Sequence, residues 1–294
     1  MRADITKAFI FCMLLASQAT AKEVAAGPLG AAYQVMPSNP SSHTRAAPWV
    51  LSASPQGSAS AQRALFDPIA HYLAAVTGHA VIYRRAGNGL SFSHNLAAGR
   101  YDLVFGGPHL AAWADRHEGA HPLVRLFGRM AFDTVVRSLR IRTLAALVGR
   151  PVCANPPPGF ASVTLLRHFP DVLRQPYLIA VSGWRQAYHG LLRGSCQAAV
   201  LPAQAARRLM TPGDGLYVIH QSRGYPGYGL VAGKNMPRAV RHLIRMALLA
   251  RQGRRVTMPL ARAEGVSAHG WVVAHRKDYA GLQKLLRRVP FLGG

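Results

Sequence analysis

The sequence predicts an α/β protein of two lobes, each built on a doubly wound, mainly parallel sheet, with two hinge crossings between the lobes. First, an order of strand, helix, strand, helix, strand occurs twice along the chain. Second, each copy closes with a helix, a glycine, a short strand and a proline, at residues 96–108 and 191–202. Third, 294 residues, of which 50% are hydrophobic, are enough to build two cores.

The first copy begins at Trp49, after a stretch without apolar periodicity. Asp67 and Pro68 resemble a helix start, because a capping side chain is followed by proline at the first helical position. Gly78 is typical of the helix end, where a left-handed residue is common. The predicted elements are strands at 49–54, 80–83 and 101–105 and helices at 67–78 and 90–98.

The second copy repeats this order about 100 residues later. Its predicted elements are strands at 151–154, 177–181 and 196–201 and helices at 162–168 and 184–192. In open α/β sheets, ligands bind beside the loops at the carboxyl ends of the strands. Two facing lobes therefore place four such loops around one cleft, and a two-segment hinge permits closure around a ligand.

The last section supplies strands and helices that complete the lobes. We predict strands at 216–219 and 228–231 and helices at 237–251 and 278–288. If this section packs on the first lobe, the chain crosses between lobes near 134–140 and near 219–230. The predicted first lobe is 48–136 with 228–294, and the predicted second lobe is 137–227.

The N-terminus has the three parts of a secretory signal. Arg2 and Lys7 are basic, an apolar run follows at 8–16, and Ala19 to Ala21 form a small-x-small cleavage site. We therefore predict a signal peptide at 1–21, cleaved near Ala21, and a periplasmic protein. An interfacial or buried helix is the alternative. Residues 22–47, rich in Ala, Gly, Pro and Ser, are predicted to be a flexible leader.

Cleavage would leave two cysteines in an oxidising compartment. Cys153 lies in the first strand of the second copy, and Cys196 begins its third strand. These strands are neighbours in the doubly wound order, so a disulfide is expected, with two buried thiols as the alternative.

The charge is strongly positive, with 35 Lys and Arg against 11 Asp and Glu, or +24. The arginines are spread along the chain without interleaved aromatic residues, which argues against nucleic-acid binding. We expect a solvated basic surface that favours anionic ligands. Two imidazoles, His117 and His121, have helical spacing, but Gly119 lies between them, so no metal site and no cofactor are predicted.

Catalytic motifs are missing from the sequence. It contains no Gly-x-Ser-x-Gly elbow, no His-Glu-x-x-His and no phosphate-binding glycine loop with lysine. The protein is therefore predicted not to be an enzyme, although a small exported hydrolase is kept as an alternative.

Four stretches together resemble the substrate-binding proteins of phosphate, phosphite and phosphonate ABC transporters. They are FDPIAHYLAAVTG at 66–78, LAAGRYDLVFGGP at 96–108, LAALVGRPV at 144–152, and the segment 278–285. The resemblance implies a type 2 periplasmic-binding fold, capture of a small solute, expected to be anionic, and delivery to a membrane permease. We expect a monomer. A ligand-sensing partner of a membrane histidine kinase is the alternative.

The resemblance also implies where the ligand contacts lie. The family's hydroxyl-rich turn in the second lobe corresponds to residues 159–162, where only Ser162 keeps a hydroxyl, and Trp184 stands where the family often has histidine. Neutral or basic residues occupy the positions of the family's acidic partners, which argues against an aminophosphonate. The predicted ligand-binding residues are Ser54, Gly107, His109, Phe160, Ala161, Ser162, Trp184, Gln204 and Arg223.

Some of these residues have a simpler interpretation. Ser162 could only cap a helix, and Trp184 could be a core aromatic residue. Arg223 could be an ordinary surface charge. The sequence leaves the ligand's identity open.

Overall fold

The computed structural model of the protein describes residues 47–211, 213–265 and 270–293. The predicted signal peptide, and the predicted leader apart from Ala47, lie outside the described residues.

The first lobe is built around a six-stranded sheet in the order β13-β4-β12-β3-β1-β2. The strand β1 lies between β2 and β3 and is parallel to both, as the repeat predicts, whereas β12, β4 and β13 pair antiparallel. The strands are β1 (Trp49–Ala53), β2 (Val81–Tyr83), β3 (Leu103–Gly106), β4 (His121–Leu126), β12 (Gly229–Ala232) and β13 (Trp271–Val273).

The second lobe is built around a five-stranded sheet in the order β10-β6-β9-β7-β8. Its β7 is parallel to both β8 and β9, whereas β6 pairs antiparallel with β9 and β10. The strands are β6 (Phe132–Val136), β7 (Pro151–Ala154), β8 (Tyr177–Ala180), β9 (Ala198–Pro202) and β10 (Tyr217–Gln221).

Both sheets are thus mixed rather than mainly parallel. The parallel strands are those of the two repeats. The strands next to the lobe crossings, β6 and β12, run antiparallel to the repeat strands beside them.

The two crossings lie beside a small antiparallel ribbon of β5 (Arg129–Met130) and β11 (Tyr225–Pro226). The first crossing precedes Phe132, because the fully buried strand β6 already belongs to the second sheet. The first crossing therefore lies earlier in the chain than the predicted 134–140. The lobe boundary likewise lies before residue 132 and not after residue 136. Residues 132–136, all buried, form a core strand instead of a connection.

Helices cover the sheets. Those of the first lobe are α1 (Ala59–Thr77), α2 (Gly89–Ala97), α3 (Pro108–Glu118), α7 (Arg238–Leu249) and α8 (Arg251–Ala263). Those of the second lobe are α4 (Phe160–Leu166), α5 (Trp184–Leu192) and α6 (Ala203–Leu209). Short 3₁₀ turns lie at Ala145–Leu147, Val172–Arg174, Arg276–Tyr279 and Leu282–Leu286.

Three predicted helices differ from those observed. The first begins at Ala59 with Ser58 as its cap, so Pro68 lies inside it and costs one hydrogen bond in a longer helix. The helix predicted at 237–251 ends at Leu249, and a separate helix, α8, follows. The helix predicted at 278–288 is two 3₁₀ turns, because Gly281 between them is left-handed with φ +77°.

The predicted disulfide is confirmed. Cys153 on β7 is bonded to Cys196 just before β9, with a Cα–Cα distance of 5.8 Å. The bridge packs against α5, because a Cβ atom on Gly190 would lie 2.8 Å from the Cys153 sulfur. The disulfide therefore ties two neighbouring strands and supports the helix that covers them.

Candidate functional site

A cavity of about 240 Å³ lies between the lobes. The first lobe contributes residues after β1 and at the end of β3, the first turns of α1, and the end of α8. The second lobe contributes residues 182–186, which lead into α5. The polar and aromatic lining includes Ser54, Gln56, Gln62, Phe105, Ser182, Trp184, Arg185, Tyr228 and Glu264.

The lobes touch at the rim of this cavity. The backbone N–H of Gly57 in the first lobe donates a hydrogen bond to the carbonyl oxygen of Ser182 in the second lobe, at 2.7 Å. The N–H of Ser182 in turn donates to the side chain of Gln186, at 2.8 Å. These bonds fix the loop before α5 beside the cavity.

The start of α5 offers backbone donors without a competing cap. Gly183 has φ +141°, which favours glycine, and it makes no side-chain capping bond to the helix. The first N–H groups of a helix have no partner within the helix, and the dipole favours negative charge there. The Arg185 guanidinium lies 4.6 Å from the centre of the Trp184 ring and adds positive charge at this end.

Aromatic residues form much of the remaining wall. Tyr228 is buried and stacks on Phe105 with ring centres 5.7 Å apart. A smaller space of about 30 Å³ shares Gln56, Trp184, Tyr228 and Glu264 with the main cavity and is also lined by Phe160 and Ala161. The cavity can therefore hold an organic group against rings as well as a polar group against the start of α5.

Four of the predicted site residues line the main cavity or the smaller space beside it. Ser54 and Trp184 line the main cavity, while Phe160 and Ala161 line the smaller space with Trp184. Their roles as ligand contacts remain predictions.

Three further predicted residues are buried and line neither space. His109 is 1% exposed, stacks on Phe160 with ring centres 4.5 Å apart, and its Nε2 lies 2.8 Å from the Pro158 carbonyl oxygen. Gly107 lies under the His109 ring, and the Ser162 hydroxyl donates to the Gly159 carbonyl at 2.9 Å. In the turn at residues 159–162, which the resemblance assigns to the ligand, the Phe160 ring thus packs against the His109 ring of the first lobe.

The last two predicted residues lie outside the described cavities around Trp184. Gln204 is exposed on α6. Arg223 is also exposed, with its guanidinium 5.0 Å from the centre of the Tyr225 ring. Both follow strands of the second lobe, but their side chains are directed to solvent rather than to the cleft.

Two titrating groups at the cleft have shifted pKa values. Burial lowers the pKa of His109 to about 4, only partly opposed by its hydrogen bond to Pro158. Burial raises the pKa of Glu264 to about 7. Glu264 ends α8 and makes no ion pair with any described residue.

Most of the cavity lining was not predicted from the sequence, including Glu264 and Tyr228 as well as Gln56, Gln62, Phe105, Ser182 and Arg185. The positions that correspond to the family's acidic partners carry no carboxylate, whereas Glu264 lies at the end of α8, a helix that was not predicted. The scarcity of acids is the one signal that could have drawn attention to it, since only 11 occur in the chain.

No group of three or more metal-ligating side chains that could hold a metal occurs within the described ranges. His117 stacks on Trp113 with ring centres 5.0 Å apart, so its ring belongs to helix packing. His121 lies 3.4 Å from an Arg276 nitrogen.

Comparison with known proteins agrees with this architecture. The family described as "ABC transporter, phosphonate, periplasmic substrate-binding protein" matches residues 51–279. The chain belongs to this family. It is therefore a solute-binding protein that delivers its ligand to an ABC transporter, and family members of this kind work with a permease and are exported to the periplasm.

Solved structures share the two-lobed type 2 fold. PhnD1 from Prochlorococcus marinus in complex with methylphosphonate has a TM-score of 0.63 at 12% identity, covering 81% of this chain and 97% of that one. XAC2383 from Xanthomonas citri bound to ATP has a TM-score of 0.62 at 16% identity, covering 82% and 98%. A binding protein component of an ABC phosphonate transporter from Pseudomonas aeruginosa has a TM-score of 0.62 at 12% identity, covering 81% and 85%.

A search of curated protein sequences found no significant match to this binding protein. Within the described residues, no helix combines the length and apolar character needed to cross a membrane.

Proposed function

We propose that the binding protein captures a small organic anion in the cavity beside Trp184, as a monomer and without catalysing a reaction. The observation that carries the proposal is a cavity lined by both lobes, at the carboxyl ends of β1 and β3 and at the start of α5. Its volume, about 240 Å³, lies just below the ~300–1,000 Å³ range of drug-sized ligand sites, which favours a small solute.

The anionic group is proposed to face the first turn of α5. Backbone donors and the helix dipole favour an oxyanion there, and Arg185 adds a full positive charge. The organic part is proposed to contact the rings of Trp184 and Tyr228. The methylphosphonate bound by PhnD1 is a ligand of this chemistry, so phosphonates and small phosphate esters are the first solutes to examine.

Export is part of the proposal. Residues 1–21 are proposed to direct the chain to the periplasm and to be removed near Ala21. The disulfide between Cys153 and Cys196 supports an oxidising compartment for the mature protein.

Glu264 favours a second candidate, a solute that also carries an ammonium group. Its carboxylate lines the cavity without an ion-pair partner among the described residues. It also ends α8, where the helix dipole favours a cation.

Binding should depend on the Trp184 ring. Thermal-shift screening of the wild-type protein against phosphonates, phosphate esters and inorganic oxyanions selects a ligand, and calorimetry then measures its affinity.

Trp184→Ala is expected to weaken binding by roughly 10- to 100-fold, since a stacked ring contributes about 1–3 kcal/mol. Trp184→Phe should keep most of the affinity. Tyr217→Ala, which removes an exposed aromatic side chain from the same lobe, is the control. Equal affinity in all variants would refute this site.

Glu264→Gln separates the two candidates. For an anion lacking an ammonium group, wild-type affinity should rise as the pH falls through about 7, because the carboxyl becomes neutral. The Gln variant should then bind at least as tightly and lose that pH dependence. For an ammonium-bearing solute, wild-type affinity should instead fall as the pH falls, and Glu264→Gln should weaken binding by about 10-fold or more.

A further inference from the structure

A strongly basic cavity lies on the first lobe, away from the cleft. It has a volume of about 360 Å³ and is formed by α7, the start of β4 and the residues that follow β13. Four arginines line it, Arg238, Arg241, Arg245 and Arg276. Three histidines, His121, His242 and His275, complete its polar wall, and no carboxylate lines it.

Sheet topology places this cavity and the ligand cleft at opposite ends of the strands of the first sheet. The cleft lies at the carboxyl end of β3. Because β12 pairs antiparallel with both β3 and β4, β4 runs parallel to β3. His121, at the start of β4, therefore lies at the amino end of β3 and β4, opposite the end that borders the cleft. The basic cavity is a separate site from the one beside Trp184.

Like charges are concentrated on one face of α7. Arg238, Arg241, His242 and Arg245 have the spacing i, i+3, i+4 and i+7, which brings their side chains together. Arg238 and Arg241 also lie in the first turn, where the helix dipole disfavours positive charge. Nothing in α7 itself offsets this arrangement, because the helix contains no acidic residue.

Carboxylates on neighbouring elements compensate little of this charge. Among the residues that the structure describes, Arg276 pairs with Asp115 at 3.0 Å. Asp278, the other nearby acid, pairs with Arg125 at 3.3 Å. The three arginines of α7 have no acidic partner in the described ranges.

Two guanidinium nitrogens at this site are buried without an acceptor. They are Nη1 of Arg241 and Nε of Arg245. Another nitrogen of Arg245 reaches the Pro122 carbonyl oxygen only at 3.5 Å. A buried charged donor without a hydrogen-bond partner is strongly unfavourable. An acceptor that the described residues do not provide would therefore be favourable at this site.

We propose that this cavity binds a phosphate group. Guanidinium groups present paired N–H donors that match the oxygens of a phosphate, and several arginines around one cavity suit a doubly charged anion. The cavity is larger than a bare phosphate requires, so the group can carry further atoms. A free phosphate compound and the head group of an acidic phospholipid share this chemistry, and the second would hold the protein at the membrane near its transporter.

Calorimetry with inorganic phosphate and pyrophosphate tests the free ligand, and co-sedimentation tests the lipid. Vesicles of phosphatidylcholine containing phosphatidic acid are compared with vesicles of phosphatidylcholine alone. Arg241→Gln with Arg245→Gln is expected to weaken binding about 100-fold, because two charge-assisted hydrogen-bonding groups are removed. Arg140→Gln with Arg174→Gln, two exposed arginines of the second lobe, gives the same change in net charge and should bind like the wild type.

The outcomes separate this site from the cleft. Trp184→Ala must keep the binding that the Arg241 and Arg245 double variant loses. Without added anion, the double variant should unfold at a temperature no lower than the wild type, because repulsion on α7 is relieved. Binding in either arm supports the proposal and identifies the source of the phosphate. If both double variants bind all probes equally, or if the wild type binds none, the proposal is wrong.

Discussion

Removal of the disulfide is expected to lower the free energy of unfolding by about 4 kcal/mol, from the loop-closure entropy of a bridge of this span. The two cysteines are 43 residues apart in sequence, so the crosslink restricts a long loop of the unfolded chain. Both side chains are buried in the core of the second lobe. The change is Cys153→Ala with Cys196→Ala, and urea unfolding monitored by circular dichroism measures it.

Reduction of the wild-type protein is the matched control, because it breaks the crosslink while keeping both sulfur atoms in the core. The reduced wild type and the double variant should unfold at similar urea concentrations, both well below the oxidised wild type. Ligand affinity should also fall, since Gly190 of α5 packs against the bridge and Trp184 begins that helix. Unchanged unfolding of the double variant would show that the crosslink does not stabilise the fold.

The repeated strand–helix–strand pattern was sufficient to predict the core of each sheet. Apolar runs such as residues 103–106 and 198–202 form the buried strands at which both repeats end. Short apolar runs near a crossing are harder to interpret, because pairing in either lobe would bury them. Phe132–Val136, in which Phe132, Val135 and Val136 are apolar, is such a segment, and its pairing with β9 places it in the second lobe.

Helix α8 escaped prediction for local reasons that also hid part of the site. It contains Gly253 and Pro259, which disfavour a helix, and four of its 13 side chains are arginines. Tertiary packing stabilises it nevertheless, with Leu260 buried. Because Glu264 ends this helix, missing the helix also meant missing the carboxylate of the cleft.

Ligand-site residues could be predicted from the sequence where their place in the strand and helix order alone brings them to the cavity. Ser54 follows a strand and Trp184 begins a helix at the carboxyl edge of the sheet, and both line the cavity. His109 and Phe160 hold equivalent positions, yet their rings pack on each other. The volumes of facing side chains across the two lobes determine this outcome, and one sequence read element by element does not contain that information.

Acidification is expected to destabilise the protein through His109. Burial lowers the pKa of this side chain from the ordinary value of 6.5 to about 4. Between these values the unfolded chain binds more protons than the folded one, so this contribution to stability is present above pH 6.5 and is lost as the pH falls towards 4. The expected loss is about 2 kcal/mol by pH 5 and about 3 kcal/mol below pH 4, at about 1.4 kcal/mol for each pKa unit.

The measurement compares the wild type with His109→Gln, whose amide can still donate to the Pro158 carbonyl but does not titrate. Urea unfolding at pH 7.5 and at pH 5 should show a larger loss for the wild type, by about 2 kcal/mol. His168, with a pKa lowered by burial and by nearby His220, and Glu264, with a raised pKa, titrate in both proteins, so the difference between them isolates His109. Parallel losses would mean that His109 keeps an ordinary pKa. A larger loss in the wild type would mean that protonation of His109, which stacks on Phe160 of the second lobe, destabilises the fold.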